Sequence, residues 1–423
     1  MVKSIVSIVK GDNAKQMVEE ALNHLGGVKA LIKEGSTVVI KPNGGHEGTP
    51  ESSVCTSPAV VKAVIEVIRQ ANPKKIILAE AAAIGCDTMK CLEVSGIKNA
   101  AEEAGIDEII DIKSDTDLVR KRIQNPGSKI KNVKLPRFLI EADHIINVPI
   151  FKTHVSMVFT CALKNIKGVV QDTVHGLMHM TNLAAAMMDL WSVIRADLSI
   201  ADLIRPMEGF GPHTTGTPVD FGCIVASKDP VALDATVCRM IGLAIDDVDY
   251  FTAAREKGIG LIDESDIEIR GNTIKEVYKK LYLPYLDGFG AWPEYNFHIE
   301  NACSSCQGLL AYSMAKLKLL DEYDKNKGID IVLGRKRDIL ENIKYGKDLL
   351  LIGDCTKTLK KKIEAAGKTC VHVNGCPPGE PHPYWAITDR IDMPDQRTPE
   401  QIRIRHEAEN DILIERLKAQ KSK

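Results

Sequence analysis

The chain has 423 residues, 44% of them hydrophobic and 26% charged, and its 55 basic and 57 acidic side chains leave a net charge of −2. That length exceeds one ordinary core, so two domains are expected. No basic field attracts nucleic acid or anionic lipid, and neither a membrane-spanning run nor a secretory leader is legible, which points to the cytoplasm.

Met1 to Val9 alternates with period two and predicts a strand. Thr37–Ile40, Lys75–Ala79, His144–Val148 and Phe221–Ala226 are further short, β-branched candidates. Between them lie helical patterns such as Pro58–Gln70, apolar at Val60, Val61, Val64, Val67 and Ile68, and the core helix Leu183–Trp191. This alternation predicts an α/β fold, a largely parallel sheet covered by helices, over residues 1–282. In such sheets ligands bind beyond the carboxyl ends of the strands. Lys41-Pro-Asn43, Glu80, Phe151-Lys-Thr-His154, Asp202 and the Gly209–Pro218 loop with His213 all fall at such ends.

A Pro/Gly/aromatic stretch, 283–298, reads as a linker. A smaller α/β unit, 299–395, follows. Its strand candidates are Ile329–Leu333, Leu349–Ile352 and Cys370–Val373, with helices over Leu309–Tyr323 and Thr358–Ala366. The tail, 396–423, starts as a helix capped by Thr398 with Pro399 in the first turn, and is expected to lie on the surface with a frayed end.

Eleven cysteines are scattered along the chain, several in apolar segments (Cys161, Cys223, Cys238), which suits a reducing compartment. Cys303, Cys306, Cys355 and Cys376 stand out, spaced C-x2-C-x48-C-x20-C. The last two directly follow predicted strands, whereas Cys370 lies inside one and reads as core. Four thiolates can hold an iron–sulfur cluster or a tetrahedral zinc. Structural zinc more often uses two close pairs than one pair and two singles, which favours the cluster. The order Cys-x-x-Cys, Gly-x-Cys after a strand, and Gly-Cys-Pro-Pro resembles the proximal-cluster site of nickel–iron hydrogenase small subunits. That resemblance implies a four-iron four-sulfur (4Fe-4S) cluster on a flavodoxin-like unit, with these four cysteines as ligands.

In the first unit Lys41, Lys152 and Lys164 are cations at strand ends or helix starts, with Asn43 and Asn165 beside two of them. Such a set can fix the carboxylate or phosphate of a small anionic substrate, aided by the amides of Gly44 and Gly45. Lys152 and His154 are the candidate catalytic residues, His154 as general acid or base. Solvated lysines are the bland alternative. His175 and His179 have the spacing of metal ligands on a helix, with Asp172 as a candidate third; the alternative is an exposed polar face. Asp202 and Asp234 could be site acids, although helix capping or structural hydrogen bonds explain them equally well.

Val38–Asn43, Ile146–His154, Ala162-Leu-Lys-Asn-Ile-Lys-Gly168, Glu208–Pro212 and Lys228–Asp234 occur in an order that resembles the domain-of-unknown-function 362 family. Members of that family often carry C-terminal iron–sulfur cysteines. The family is distantly similar to the N-terminal domain of nickel-pincer lactate racemases. The expectation is an iron–sulfur oxidoreductase or electron-transfer protein acting on a small anion. The alternatives are a non-redox metal-dependent isomerase and a binding protein with structural zinc. A redox partner protein and a homo-oligomer are compatible with either.

Overall fold

The computed structural model describes residues 3–154, 157–212, 216–283, 292–300, 302–335, 343–376, 378–379 and 381–421. The chain forms two compact units, 1–282 and 283–423.

In the first unit the strands are β1 (Ser4–Lys10), β2 (Thr37–Pro42), β3 (Lys75–Glu80), β4 (Glu108–Asp111), β5 (Leu118–Arg122), β6 (Asn132–Pro136) and β7 (His144–Val148). They continue with β8 (Ile150–His154), β9 (Val158–Thr160), β10 (Leu198–Gly209), β11 (Gly216–Pro218), β12 (Cys223–Ser227) and β13 (Ile267–Gly271). The main path runs β13-β1-β12-β10-β7-β2-β3-β4, with β8 and β11 paired to β10 and β9 paired to β8, while β5 and β6 form a separate ribbon. Neighbours from β10 through β7, β2 and β3 to β4 are parallel. Strand β12 runs antiparallel to both its neighbours. The sheet is therefore largely parallel, as the alternation of strand and helix patterns requires.

Strands β2 and β3 are apolar without alternation because both faces are covered. Val38 and Ile40 pack with Ile76 and Leu78 against Val60, Val61, Val64 and Ile68 of helix Pro58–Arg69. Helix Leu183–Trp191 is almost wholly buried, and Asn182 caps it by accepting from the Ala185 amide. With β2, β3 and β7 parallel, Lys41, Glu80 and the turn from Val148 into β8 emerge on one edge.

The second unit carries β14 (Asn296–Glu300), β15 (Asp330–Gly334), β16 (Gly346–Ile352) and β17 (Cys370–Val373), all parallel and in sequential order. That order departs from the 2-1-3-4-5 arrangement of flavodoxin-like sheets, although both faces are covered. Ile331, Leu333, Leu350, Ile352, Val371 and Val373 face helices Ser304–Leu319 and His382–Asp389. Val332, Leu349 and Leu351 face helix Lys357–Ala365.

Helix Pro399–Lys421 is more than a surface tail. Its start is capped as expected, Thr398 Oγ1 accepting from the Gln401 amide. Farther along, Glu409 accepts from the fully buried Lys316 ammonium at 2.7 Å and from the Trp385 indole at 3.0 Å, and Leu413 is fully buried. Polar residues at helical spacing looked solvated in sequence because their buried partner lies 93 positions away. Among the described residues no helix is long and apolar enough to cross a membrane.

Candidate functional site

The carboxyl edge of the first sheet carries an ion pair sealed from solvent. Lys41 and Glu80 are 1% and 2% exposed, and Nζ meets Oε1 at 2.7 Å. Glu80 also accepts from the amides of Gly44 (2.8 Å) and Ala81 (2.9 Å), and Lys41 donates to the Pro42 carbonyl (2.9 Å). Burial pushes the lysine down and the carboxyl up, each opposed by the other's charge. Gly168 closes the pair from above: a β-carbon there would lie 2.4 Å from Glu80 Oε1 and 2.6 Å from Lys41 Nζ. That close approach is why the Ala162–Gly168 motif ends in glycine.

Asn165 is the hub beside it. Its amide donates to Asn147 Oδ1 (2.8 Å), the Pro42 carbonyl (3.1 Å) and the Lys41 carbonyl (3.3 Å), while its Oδ1 accepts from Asn43 (2.9 Å). Asn43 Oδ1 accepts in turn from Lys152 Nζ (2.8 Å), which also donates to the Val54 carbonyl (2.6 Å). Thus Lys41, Asn43, Lys152 and Asn165, named from sequence, come together in one network, with Lys41 and Lys152 already engaged by protein acceptors. Burial lowers Lys152 to about 8. His154 ends β8, buried, two residues beyond Lys152 on the same strand face.

Lys164 and Lys167 differ. The turn Ala162–Asn165 and the turn Ile166–Val169 place them one helical step apart, both half-buried. Lys164 has no hydrogen-bonding or ionic partner among the described residues. Burial, then the charges of Lys167, Lys152 and Lys41, drive it well below the usual lysine range. Burial brings Lys167 to about 8.

Helix Asp172–His179 presents both histidines to these lysines. His175 Nε2 donates to the Lys167 carbonyl (2.7 Å), and His179 Nε2 accepts from Lys167 Nζ (2.5 Å). Burial first, then the lysine charges, hold the imidazoles neutral, at about 3 for His175 and about 2 for His179. Asp172 is turned to Lys113 at 3.1 Å. The i,i+4 spacing thus serves a lysine nest, with Asp172 drawn to Lys113. Lys167 was not singled out in sequence; its three-residue offset from Lys164 was the available signal. His213 lies outside the described residues. Asp202 and Asp234 both accept from backbone amides, Asp202 from Ser57 and Ile204, Asp234 from Ala162 and Leu163, which favours the structural reading of each.

In the second unit the four sequence-selected cysteines meet at the carboxyl ends of the strands. Cys303 precedes helix Ser304–Leu319, and Cys306, 4% exposed, lies in its first turn. Cys355 follows β16 and Cys376 follows β17. The two latter loops clasp each other: Gly353 N donates to the Val373 carbonyl (2.8 Å), Asp354 N to the Gly375 carbonyl (3.0 Å) and Gly375 N to Asp354 Oδ1 (2.9 Å). Gly353 has φ +89°, and a β-carbon there would lie 3.3 Å from Cys306 Sγ and 3.5 Å from Cys355 Sγ. The Cys306 thiol is pushed far up by its hydrogen bond with Cys303, by burial, and by the charges of Cys303, Cys355 and Cys376. Four thiols therefore share one neighbourhood with a side-chain-free wall, a donor set whose chemistry fits an iron–sulfur cluster or zinc. They are not drawn into a closed coordination set: among the described residues no group of three or more His, Cys, Asp or Glu is disposed to hold a metal ion.

The chain is 27% identical over 249 residues to the thylakoid-associated protein sll1697 of Synechocystis sp., covering 57% of this chain and 73% of that protein. Among solved structures, the lactate racemase apoprotein of Thermoanaerobacterium thermosaccharolyticum aligns over 78% of this chain and 69% of its own, at 11% identity and a TM-score of 0.40. A Thermotoga maritima protein aligns over 72% and 69%, at 14% identity and a TM-score of 0.36. Residues 38–239, which include the whole lysine nest from Lys41 to His179, match the family described as domain of unknown function (DUF362).

Proposed function

We propose that the first unit binds a small, multiply charged anion on Lys164 and Lys167, and that the protein is an iron–sulfur oxidoreductase or electron-transfer protein acting on it. The observation that carries the binding half is the unpartnered, half-buried Lys164 amino group, set among Lys167, Lys152 and Lys41. Glu80 is the one carboxylate bonded to these lysines in the described residues, so an anion entering the nest would favour protonation of Lys164 and Lys167 and offset their charge. Lys41, Asn43 and Asn165 hold the floor of this site. Lys152 and His154 are the proposed proton carriers, and the Lys167–His179 bond offers a second route for a proton.

The placing of Cys306 and Cys355 beside Gly353, with Cys303 and Cys376 close enough to act on the Cys306 thiol, supports the assignment of all four as cluster ligands. A 4Fe-4S cluster held there would supply one-electron chemistry. A non-redox reading, proton transfer of the isomerase type, is favoured by the two neutral imidazoles beside the lysines.

Two measurements on the anaerobically purified chain test these readings. Calorimetric titration with sulfate should show binding that Lys164→Met weakens at least tenfold with the circular dichroism unchanged. Equal affinity in the variant would refute the nest as an anion site. Iron and acid-labile sulfide should be near four each and be lost in Cys376→Ser. One zinc without sulfide or colour would overturn the cluster reading, and activity that survives Cys303→Ser but not His154→Ala would favour the isomerase.

A further inference from the structure

The loop that leaves β3 beside the lysine nest carries a second group of thiols. It is tied down by Ala81 N donating to the Gly168 carbonyl (3.1 Å) and Ala83 N to the Gly45 carbonyl (2.9 Å). Lys113 Nζ donates to the carbonyls of Ala83 (3.1 Å) and Cys86 (2.9 Å). Asp87 then caps helix Thr88–Val94, accepting from the Lys90 amide at 2.9 Å. Cys86 and Cys91 thereby occupy the positions just before the cap and four residues after it, whose side chains face each other at a helix start.

Each thiol is the first influence on the other's proton affinity, as their facing positions at the helix start require. Cys91 is fully buried and Cys86 half-buried, and neither is in a disulfide. Cys86 Sγ also lies 3.7 Å from His46 Nδ1, and Cys55 Sγ donates to the His46 carbonyl at 3.2 Å. The Cys91 hydrogen bond, with Lys113 assisting, lowers Cys86 to about 7, while Cys91 is pushed far up.

We infer that Cys86 and Cys91 form a dithiol–disulfide couple on the rim of the lysine nest, with Cys86 the attacking thiol and Cys91 the resolving one. The inference rests on these residues alone and is independent of the anion and cluster readings. The oxidant class is a small disulfide, RS–SR. The Cys86 thiolate attacks one sulfur, the RS–SR bond breaks, and RS⁻ leaves, taking up a proton as RSH. Cys91 then attacks the Cys86 sulfur of the mixed disulfide, displaces the second RS⁻ and gives up its proton to it. The balance is two cysteine thiols plus RS–SR giving one protein disulfide plus two RSH, with two electrons passing from the cysteine sulfurs to the oxidant. A half-buried, low-pKa thiol with a buried thiol facing it across a helix start is the arrangement such exchange needs. The buried Cys55, bonded to the His46 carbonyl, is not itself the partner.

The test uses the full chain, reduced without oxygen, then treated with oxidised glutathione at pH 7. Free thiols are blocked with N-ethylmaleimide and the denatured protein is cut with trypsin. Cleavage after Lys75, Lys90 and Lys98 separates the two cysteines, so the couple reads as peptide 76–90 disulfide-linked to peptide 91–98. The linked pair should form, vanish in Cys86→Ser, and in Cys91→Ser give way to one glutathione held on peptide 76–90. The inference is overturned if both peptides stay blocked with N-ethylmaleimide and unlinked after the oxidised glutathione treatment, because the pair is then only packing at a helix start.

Discussion

Gly168→Ala is the sharpest perturbation of the nest. The added methyl would lie 2.4 Å from Glu80 Oε1, 2.6 Å from Lys41 Nζ and 2.7 Å from Lys41 Cε. None of these atoms can retreat cheaply. Glu80 is held by two backbone amides, Lys41 by the Pro42 carbonyl, and the Gly168 carbonyl by the Ala81 amide. Overpacking alone costs about 1–3 kcal/mol, and forcing a buried ion pair apart costs about 3–5 kcal/mol. A loss of about 3 kcal/mol, where the two ranges meet, is expected. Hydrogen exchange read by mass spectrometry localises this loss to the first unit: amides of Val38–Ile40 and Ile76–Leu78 should exchange about 150-fold faster, since each 1.4 kcal/mol is about tenfold. Gly45→Ala is the control, because nothing lies within 4 Å of its added carbon. Exchange within threefold of the parent for Gly168→Ala would refute the claim that this glycine seals the pair.

Three further outcomes are expected. Lys167 titrates at about 8 and burial holds Lys164 well below the usual lysine range, so sulfate affinity should fall as pH rises and be lost by the time pH passes through about 8; calorimetry showing no loss until pH 10 would contradict this. His175 and His179 have folded values of about 3 and about 2, below the unfolded 6.5, so the stability they contribute is present above pH 6.5 and is lost as pH falls toward those values. Denaturant midpoints of His175→Gln should therefore vary less steeply between pH 6.5 and 4 than those of the parent. Asn165→Asp replaces a donor that faces three acceptors with a fourth acceptor, so it should cost more than about 3 kcal/mol and exceed Asn165→Leu in the same denaturation assay.

The elements were legible where a short-range pattern dictates them. Apolar runs at Thr37–Ile40 and Lys75–Ala79 became β2 and β3, and Pro58–Gln70 became a helix one residue shorter. The residue types at the sheet edge were legible for the same reason, since strand ends can be read locally. What each lysine is engaged with was not. Lys41 meets Glu80 across 39 positions and Lys152 meets Asn43 across 109, and pairing at that distance leaves no trace in local spacing. Hence Lys41 and Lys152, which looked like ligands for a substrate, hold the protein's own atoms, and Lys167 emerged only from the fold. Cys86 and Cys91 went unnoticed because their contact depends on where the cap at Asp87 falls, although the Asp87-Thr88 start signal was present.

The final helix gives the four-cysteine unit an unusual dependence on its own chain terminus. Lys316 is fully buried, lies over the Tyr384 ring at 4.5 Å, and is neutralised by Glu409, which Arg405 also grips at 2.7 Å. A protease that clipped the chain near Thr398 would thus remove more than a charged appendage. It would strand an ammonium group in the apolar layer under helix Ser304–Leu319, the helix whose first turn carries Cys306.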